Sequence, residues 1–508
     1  MTSFDPPLTT HPFHTTSREH ASDQIRDADG NGDTLHEECG VFGIYGDADA
    51  ASHTALGLHA LQHRGQEAAG LVSFDQKHFH SHRGLGHVSD NFKSERVMSR
   101  LKGNMALGHN RYSTTGETIL RNVQPLFADL EFGGFALGHN GNLTNALTVR
   151  QELVRRGCIF QSTSDTEVVI HLIAISSKAT LEERIIDALR QIEGAYSMVA
   201  MSNTTMFGVR DPLGVRPLVI GKLDKAYILC SETCALDIIG AEFIRDVEPG
   251  EMVIIDQDGL RSVRPFPKSE PRFCIFEFIY FARPDSVCEG SSVYEVRKRI
   301  GVELAKESNV PCDVVVPVPD SGVPAALGYA SAVKVPFEYG IIRNHYVGRT
   351  FIQPTDKTRH LGVKRKHNIN RAQIEGKRVV LVDDSIVRGT TSTKIVDMVR
   401  QAGATEVHLR ISSPPTAHPC YFGIDTPERE QLLAAQLDVD GMAKRLGVDS
   451  LAFISVDGLY RAVGEAKRNM DNPQYCDACF TGDYPSPLTD LNAEALPHQL
   501  SLLTEGRA

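Results

Sequence analysis

Two adjacent carboxylates, Asp383 and Asp384, stand at the end of the apolar run Val379 to Val382, and Ser385-Ile386-Val387-Arg388-Gly389-Thr390-Thr391-Ser392 follows them. Residue types in this order suit a sugar phosphate. Small side chains at Ser385, Gly389, Thr390 and Thr391 let backbone N–H groups approach phosphate oxygens, and a helix beginning just after them adds its positive end. The acidic pair suits ribose hydroxyls, or a hydrated Mg2+ carried on a pyrophosphate. A bare Asp-Asp pair is most often a solvated turn between a strand and a helix; the full run is far more specific.

The elements around this loop must bring it to a sheet edge. Asp313 to Pro319 reads as a second apolar strand, ending in the tight turn Asp320-Ser321-Gly322, and Val323 to Ala332 reads as the helix after it. Beyond the loop, Ile395, Val396 and Val399 recur at helical spacing from Thr391 to Ala402, Gly403 supplies a stop, and Glu406 to Ile411 reads as the next strand. Units of this kind build parallel sheets whose ligands bind at the carboxyl ends of the strands, where both acidic turns would lie.

A second chemistry is spelled out in the first half. Cys39 opens the strand-like run Cys39-Gly-Val-Phe-Gly-Ile-Tyr45 after a polar leader, residues 1–38. A cysteine at a strand start is more often structural than catalytic, but Cys39 has company. His63-Arg64-Gly65-Gln66-Glu67, Gly108-His109-Asn110-Arg111-Tyr112-Ser113-Thr114, Gly138-His139-Asn140-Gly141-Asn142 and Ser162-Thr163-Ser164-Asp165-Thr166-Glu167 follow in order. The clearest helix of this half starts at Thr180, which makes a capping box with Glu183, and runs towards Gly194; Tyr196 to Met201 reads as a strand.

The string from Val379 to Ser392 closely resembles the phosphoribosyl pyrophosphate (PRPP) signature of type I phosphoribosyltransferases. The motifs that follow Cys39 together resemble the glutaminase domain of class-II, N-terminal-nucleophile amidotransferases. Joined on one chain, they cover residues from Cys39 to about 482 and resemble the amidophosphoribosyltransferase family in its iron–sulfur, propeptide-bearing branch. The fold so implied is a glutaminase sandwich (αββα) followed by a type I phosphoribosyltransferase domain with a parallel sheet, α+β joined to α/β. The activity implied is hydrolysis of glutamine, with ammonia displacing pyrophosphate from PRPP to give 5-phosphoribosylamine, the first step of de novo purine synthesis.

The resemblance also assigns roles. Cys39 becomes the N-terminal residue and the nucleophile, its own α-amine, with a pKa near 8, serving as base. Asn140 and Gly141 form the oxyanion hole. Arg111 takes the glutamine α-carboxylate and Asp165 its α-ammonium, while Arg64, Gly65, Tyr112 and Thr114 shape the pocket. PRPP lies on Asp383, Asp384, Ser385, Arg388, Gly389, Thr390 and Thr391, with Mg2+ near Ser321, Asp383 and Asp384. The segment from Arg343 through Tyr346 and Arg349 to Lys364 and Lys366, rich in glycine, proline and basic residues, suits a lid that closes on polyphosphate. Purine nucleotides are implied as feedback inhibitors, and a homotetramer as the assembly.

Of ten cysteines, Cys158, Cys230, Cys234, Cys288 and Cys312 lie in apolar or mixed segments and carry no assigned role. Cys476-Asp-Ala-Cys479 has metal spacing, compatible by itself with zinc, redox chemistry or nothing. Cys274 and Cys420 fall where the iron–sulfur branch has its other ligands. Four thiolates from three segments could bind a [4Fe–4S] cluster or an all-thiolate zinc, and the resemblance favours the cluster, in a structural role.

Composition bounds the rest. With 508 residues, 41% of them apolar and 23% charged, the chain has room for two or three domains. A formal net charge of −11 offers no basic footprint for nucleic acid, and the cluster from Arg359 to Lys366 is short and local. No run approaches the roughly 18 apolar residues of a membrane span, and the leader lacks an apolar signal region, so a cytoplasmic protein is expected. The Pro-rich joint Pro265 to Pro271 divides the halves, giving a leader (1–38), a glutaminase domain (39–270), a transferase domain (271–482) and a polar tail (483–508) expected to pack loosely or not at all. Two rival readings fare worse. A sugar-phosphate-aminating amidotransferase lacks the acidic signature, and a PRPP-binding regulator without catalysis would need neither Cys39 nor the Asn140-Gly141 pair.

Overall fold

The computed structural model of the chain describes residues 39–112, 119–344 and 367–492. Its first domain stacks two antiparallel sheets of seven and six strands between helices. Alternation along single strands explains the layering, because successive side chains point to opposite faces. In strand Gly40–Tyr45, Phe42 and Ile44 pack beneath helix Ala50–Ala60, while Val41 turns inward to meet the second sheet. Strand Ala68–Phe74 is buried at every residue, as a strand covered on both faces must be. Helices Ala146–Arg155, Thr166–Ile175 and Leu181–Leu189 close the far side over Leu137, Tyr196 and Met198. The capping box at Thr180 and Glu183 forms as read, although the helix stops at Leu189, short of Gly194.

The second domain is built on four parallel strands in the order Val314–Pro317, Arg378–Asp383, Glu406–Ile411 and Ser450–Phe453. Helices Val293–Ser308 and Val323–Val333 cover one face and Thr390–Gln401 and Val439–Leu446 the other. The first two helices touch backbone to backbone: a Cβ on Gly301 would fall 1.8 Å from the Ala325 carbonyl oxygen, and one on Gly328 1.9 Å from that of Lys298. Among the described residues no helix is long and apolar enough to cross a membrane.

Phe273–Cys274 pairs in parallel with Tyr475–Cys476, which ties the start of this domain to its end. The tail departs from expectation as far as it is described. The Asp490 carboxylate accepts from Leu147 N (2.7 Å) and Thr148 N (3.0 Å), and Thr489 bonds Glu193. The unsatisfied first-turn N–H groups of helix Ala146–Arg155 attract a carboxylate, which a count of polar residues does not reveal.

Candidate active sites

Cys39 directly precedes strand Gly40–Tyr45, which pairs antiparallel with Met105–Arg111 so that Gly40 faces Asn110. Its thiol donates to the Tyr112 carbonyl at 3.4 Å. Burial pushes the thiol pKa up; Arg111 opposes that shift, and Asp165 and Glu67 add smaller upward contributions. Such a thiol stays protonated at neutral pH unless a base takes its proton. Gly65 closes against the same strand, where a Cβ would lie 2.8 Å from the Asn110 carbonyl carbon.

The strand Gly133–Leu143 crosses from the second sheet: a Cβ on Gly138 would sit 3.6 Å from Val41 Cγ1. Towards its end both polar atoms of the Asn140 amide are buried without a hydrogen-bond partner. A buried, unpaired amide is costly, and its Nδ2 donor is one that a ligand oxygen could meet. Gly141 has φ +135°, and a Cβ there would fall 2.1 Å from the Ala195 carbonyl oxygen, so only glycine fits. Asp165 caps helix Thr166–Ile175, accepting from Thr166 N at 2.8 Å and from Leu143 N at 3.1 Å, which holds the end of the Asn140 strand beside it. His109 Nε2 donates to the His139 carbonyl at 3.0 Å, and burial pushes its pKa down to about 3. It therefore links the sheets as a neutral ring. Thr114 lies outside the described residues.

Arg64 flanks the residue after Cys39, since a Cβ on Gly40 would lie 3.5 Å from the Arg64 Cβ, while its side chain reaches towards the second domain. Its guanidinium is buried between two carboxylates, Glu232 through Nε and Glu277 Oε2 through Nη2 at 2.6 Å. Glu232 also accepts from Ser286 Oγ (2.6 Å) and Arg283 N (2.9 Å), and bonds His63 Nε2 at 2.6 Å. Glu277 belongs to the second domain, so Arg64 pins the two domains together. Neither glutamate was singled out from the sequence, since each is far from Arg64 along the chain. Glu277→Gln should lower stability by about 3 kcal/mol, because buried Arg64 loses one of its two carboxylates and buried Arg216 loses an ion-pair partner. Calorimetric melting would show it as a fall of several degrees, and an unchanged transition would remove the pin.

At the second site, strand Arg378–Asp383 delivers the acidic pair to the carboxyl edge of the sheet. Asp384 N donates to Asp383 Oδ1 (2.9 Å), and the two Asp384 oxygens accept from Ser321 Oγ (2.5 Å) and Ser385 Oγ (2.7 Å). The turns of two neighbouring strands are thereby joined. Gly322 is required here, as a Cβ would lie 2.4 Å from the Val382 carbonyl oxygen. Gly389, at φ +81°, caps helix Thr390–Gln401, whose first turn carries Thr390 and Thr391. Arg388 bonds Gln431 Oε1 at 2.6 Å, and Arg343 pairs with Asp320. Tyr346, Arg349, Lys364 and Lys366 lie outside the described residues.

Cys274 and Cys476 are partners across their short parallel pair, and the Cys479 carbonyl accepts from Ala417 N and His418 N at 3.1 Å, which draws the Cys420 loop over them. Burial pushes the thiols of Cys274, Cys476 and Cys479 up, and each also feels its neighbours in this group. The buried Arg216 supplies positive charge to Cys274, Cys420 and Cys476. Three of the four thiols thus share one buried cation, and thiolates are the soft donors that iron–sulfur clusters and zinc take.

Two family models match the chain, a glutamine amidotransferase domain over residues 109–237 and a phosphoribosyl transferase domain over residues 297–413. The chain is 62% identical over 479 residues to an amidophosphoribosyltransferase of Rhizobium etli, covering 93% of this chain and 97% of that protein. It is 49% identical over 465 residues to that of Bacillus subtilis, covering 91% and 97%. The solved structure of the B. subtilis glutamine PRPP amidotransferase, complexed with ADP and GMP, superposes with a TM-score of 0.84 at 49% identity over 89% of this chain and 98% of that one. With a glutamine amidotransferase domain and a phosphoribosyl transferase domain on one chain, and a relative 62% identical over nearly its whole length, the chain belongs to the amidophosphoribosyltransferase family.

Proposed function

We propose that Cys39, freed at its amine by removal of residues 1–38, attacks the glutamine side-chain amide, and that the ammonia released displaces pyrophosphate from PRPP held at residues 383–391. Glutamine, PRPP and water become glutamate, 5-phosphoribosylamine and pyrophosphate. The observation that carries this reading is the buried, unpartnered Asn140 amide on the strand that crosses the one Cys39 begins.

The Cys39 α-amine, near pKa 8, removes the thiol proton and passes it to the leaving ammonia. The thiol's bond to the Tyr112 carbonyl offers no group to take its proton, whereas the α-amine of a mature Cys39 lies in the same residue. Asn140 Nδ2 and Gly141 N–H take the charge of the tetrahedral oxyanion, a donor of this kind contributing about 3 kcal/mol. Arg111 and Asp165 hold the amino-acid end of glutamine. At the second site Asp383 and Asp384 hold the ribose, Gly389 to Thr391 hold the 5-phosphate, and Arg343, Tyr346, Arg349, Lys364 and Lys366 are assigned to the pyrophosphate. The oxygens of Ser321, Asp383 and Asp384 are hard donors that fit Mg2+, whose charge would ease departure of pyrophosphate.

Cys274, Cys420, Cys476 and Cys479 would hold a [4Fe–4S] cluster, with a structural role at the junction of the chain's ends. Four thiolates are the ligand number of that cluster, and an all-thiolate zinc is the rival that the iron content decides. The relative solved with ADP and GMP supports purine nucleotides as inhibitors of this chain too. A homotetramer in the cytoplasm completes the reading.

Intact-mass measurement under native and denaturing conditions, on protein purified without air, tests processing and metal together. The expected chain begins at Cys39 and carries about four irons. Active enzyme retaining residues 1–38 would refute the amine as base. Stoichiometric zinc without iron would reassign the four thiols.

A further inference from the structure

We propose that the transferase-domain loop Tyr421–Gly423 positions the oxyanion hole of the glutaminase site, an inference that rests on the role given above to Asn140 and Gly141. Gly141 is clamped from two sides. On one, strand Gly194–Met201 comes so close that a Cβ on Gly141 would lie 2.1 Å from the Ala195 carbonyl oxygen. On the other, Gly423 at φ +115° comes so close that its own Cβ would lie 2.9 Å from Gly141 Cα and 3.1 Å from its carbonyl carbon. Two glycines thus meet backbone to backbone across the domain boundary.

The loop is fixed on both sides of this contact. The Tyr421 carbonyl accepts from Asn142 Nδ2 at 2.9 Å, one residue beyond Gly141. Phe422 is buried among Ala195, Val215, Phe276, Cys476 and Cys479, and its N–H reaches Cys420 Sγ at 3.3 Å. The peptide that must offer its N–H to an oxyanion is therefore held at a positive φ between strand Gly194–Met201 and a loop of the other domain. That φ directs the N–H, and donors of this kind work only within a few tenths of an ångström of 2.7–3.1 Å. A side chain at residue 423 would push Gly141 while touching neither glutamine nor Cys39, which makes Gly423 a positioning residue. The same loop carries Cys420, so the thiol group and the oxyanion hole share one short piece of backbone.

The test compares Gly423→Ala with Asn140→Ala and wild type in mature holoenzyme. It reads glutaminase kcat and KM, the ammonia-dependent rate, alkylation of Cys39 by iodoacetamide, and iron content. For Gly423→Ala the glutaminase kcat should fall about 10- to 100-fold, with KM for glutamine within about twofold. The ammonia-dependent rate, Cys39 alkylation, which needs no oxyanion hole, and iron content should match wild type. A wild-type kcat in Gly423→Ala alongside a large loss in Asn140→Ala overturns the positioning role. An equal fall in the ammonia-dependent rate also overturns it, because the damage is then general. Unchanged turnover in Asn140→Ala refutes the oxyanion assignment itself. Asn142→Ala removes the Tyr421 anchor without adding an atom. If Gly423→Ala fails to fold, a selective loss of glutaminase kcat in Asn142→Ala supports the inference and wild-type turnover overturns it.

Discussion

Cys39→Ala should abolish glutamine-dependent synthesis of phosphoribosylamine, by at least about 10⁴-fold as when a covalent nucleophile is removed from a hydrolase, and leave synthesis from added ammonia near wild type. The two outcomes separate because the phosphate loop lies in the other domain, on a sheet that shares no strand with the glutaminase sandwich. Burial holds the Cys39 thiol above its usual pKa, so its reactivity depends on a base and not on a spontaneous thiolate. Glutamine-dependent activity should accordingly rise with pH through the amine's range near 8. The variant's ammonia-dependent rate should rise only as ammonium loses its proton. Parallel assays with glutamine and with ammonium chloride at alkaline pH measure both, and an equal loss in the two would show that the sites are not separable.

Those parts of the fold and the sites that are written locally were legible in the sequence. The apolar run into Asp383-Asp384, the glycine at residue 389 and the helix after it are one continuous piece of chain whose side-chain types state their own geometry. Strand Glu406–Ile411 has the bounds read for it, and the neighbouring helix differs by a single residue at each end. Contacts between distant segments were not legible. Arg64 stood in a motif that suggested a pocket, yet its charge is spent on Glu232 and Glu277, which nothing near residue 64 announces. The Asp490 cap is hidden for the same reason: a helix N-terminus offers unsatisfied N–H groups to any carboxylate the fold brings near. Gly423 carried no signal either, since its need for glycine arises from Gly141 in the other domain. Family resemblance alone groups Cys274 and Cys420 with the Cys476-Cys479 pair. The parallel pairing of Phe273–Cys274 with Tyr475–Cys476 is the physical reason two of these segments meet.

Asp384→Asn should depress the glutamine- and ammonia-dependent reactions together, because both consume PRPP at the same loop. The two oxygens of Asp384 already accept from Ser321 and Ser385, and this arrangement fixes the turns of two strands while leaving the carboxylate's charge for sugar hydroxyls or a cation. An amide keeps one acceptor, presents an N–H group to a serine hydroxyl where an oxygen stood, and removes the charge. Losing charge-assisted hydrogen bonds to ribose, at about 3 kcal/mol in all, corresponds to roughly 100-fold in kcat/KM for PRPP. Asp383→Asn should act in the same direction, its Oδ1 being the acceptor for the Asp384 N–H that orients the pair. Alkylation of Cys39 should proceed in both variants as in wild type, which distinguishes a damaged transferase site from a damaged protein. Steady-state kinetics with either nitrogen source decides the matter: wild-type PRPP parameters in both variants would take the acidic pair out of the site, and a loss confined to the glutamine reaction would move it to the other domain's chemistry.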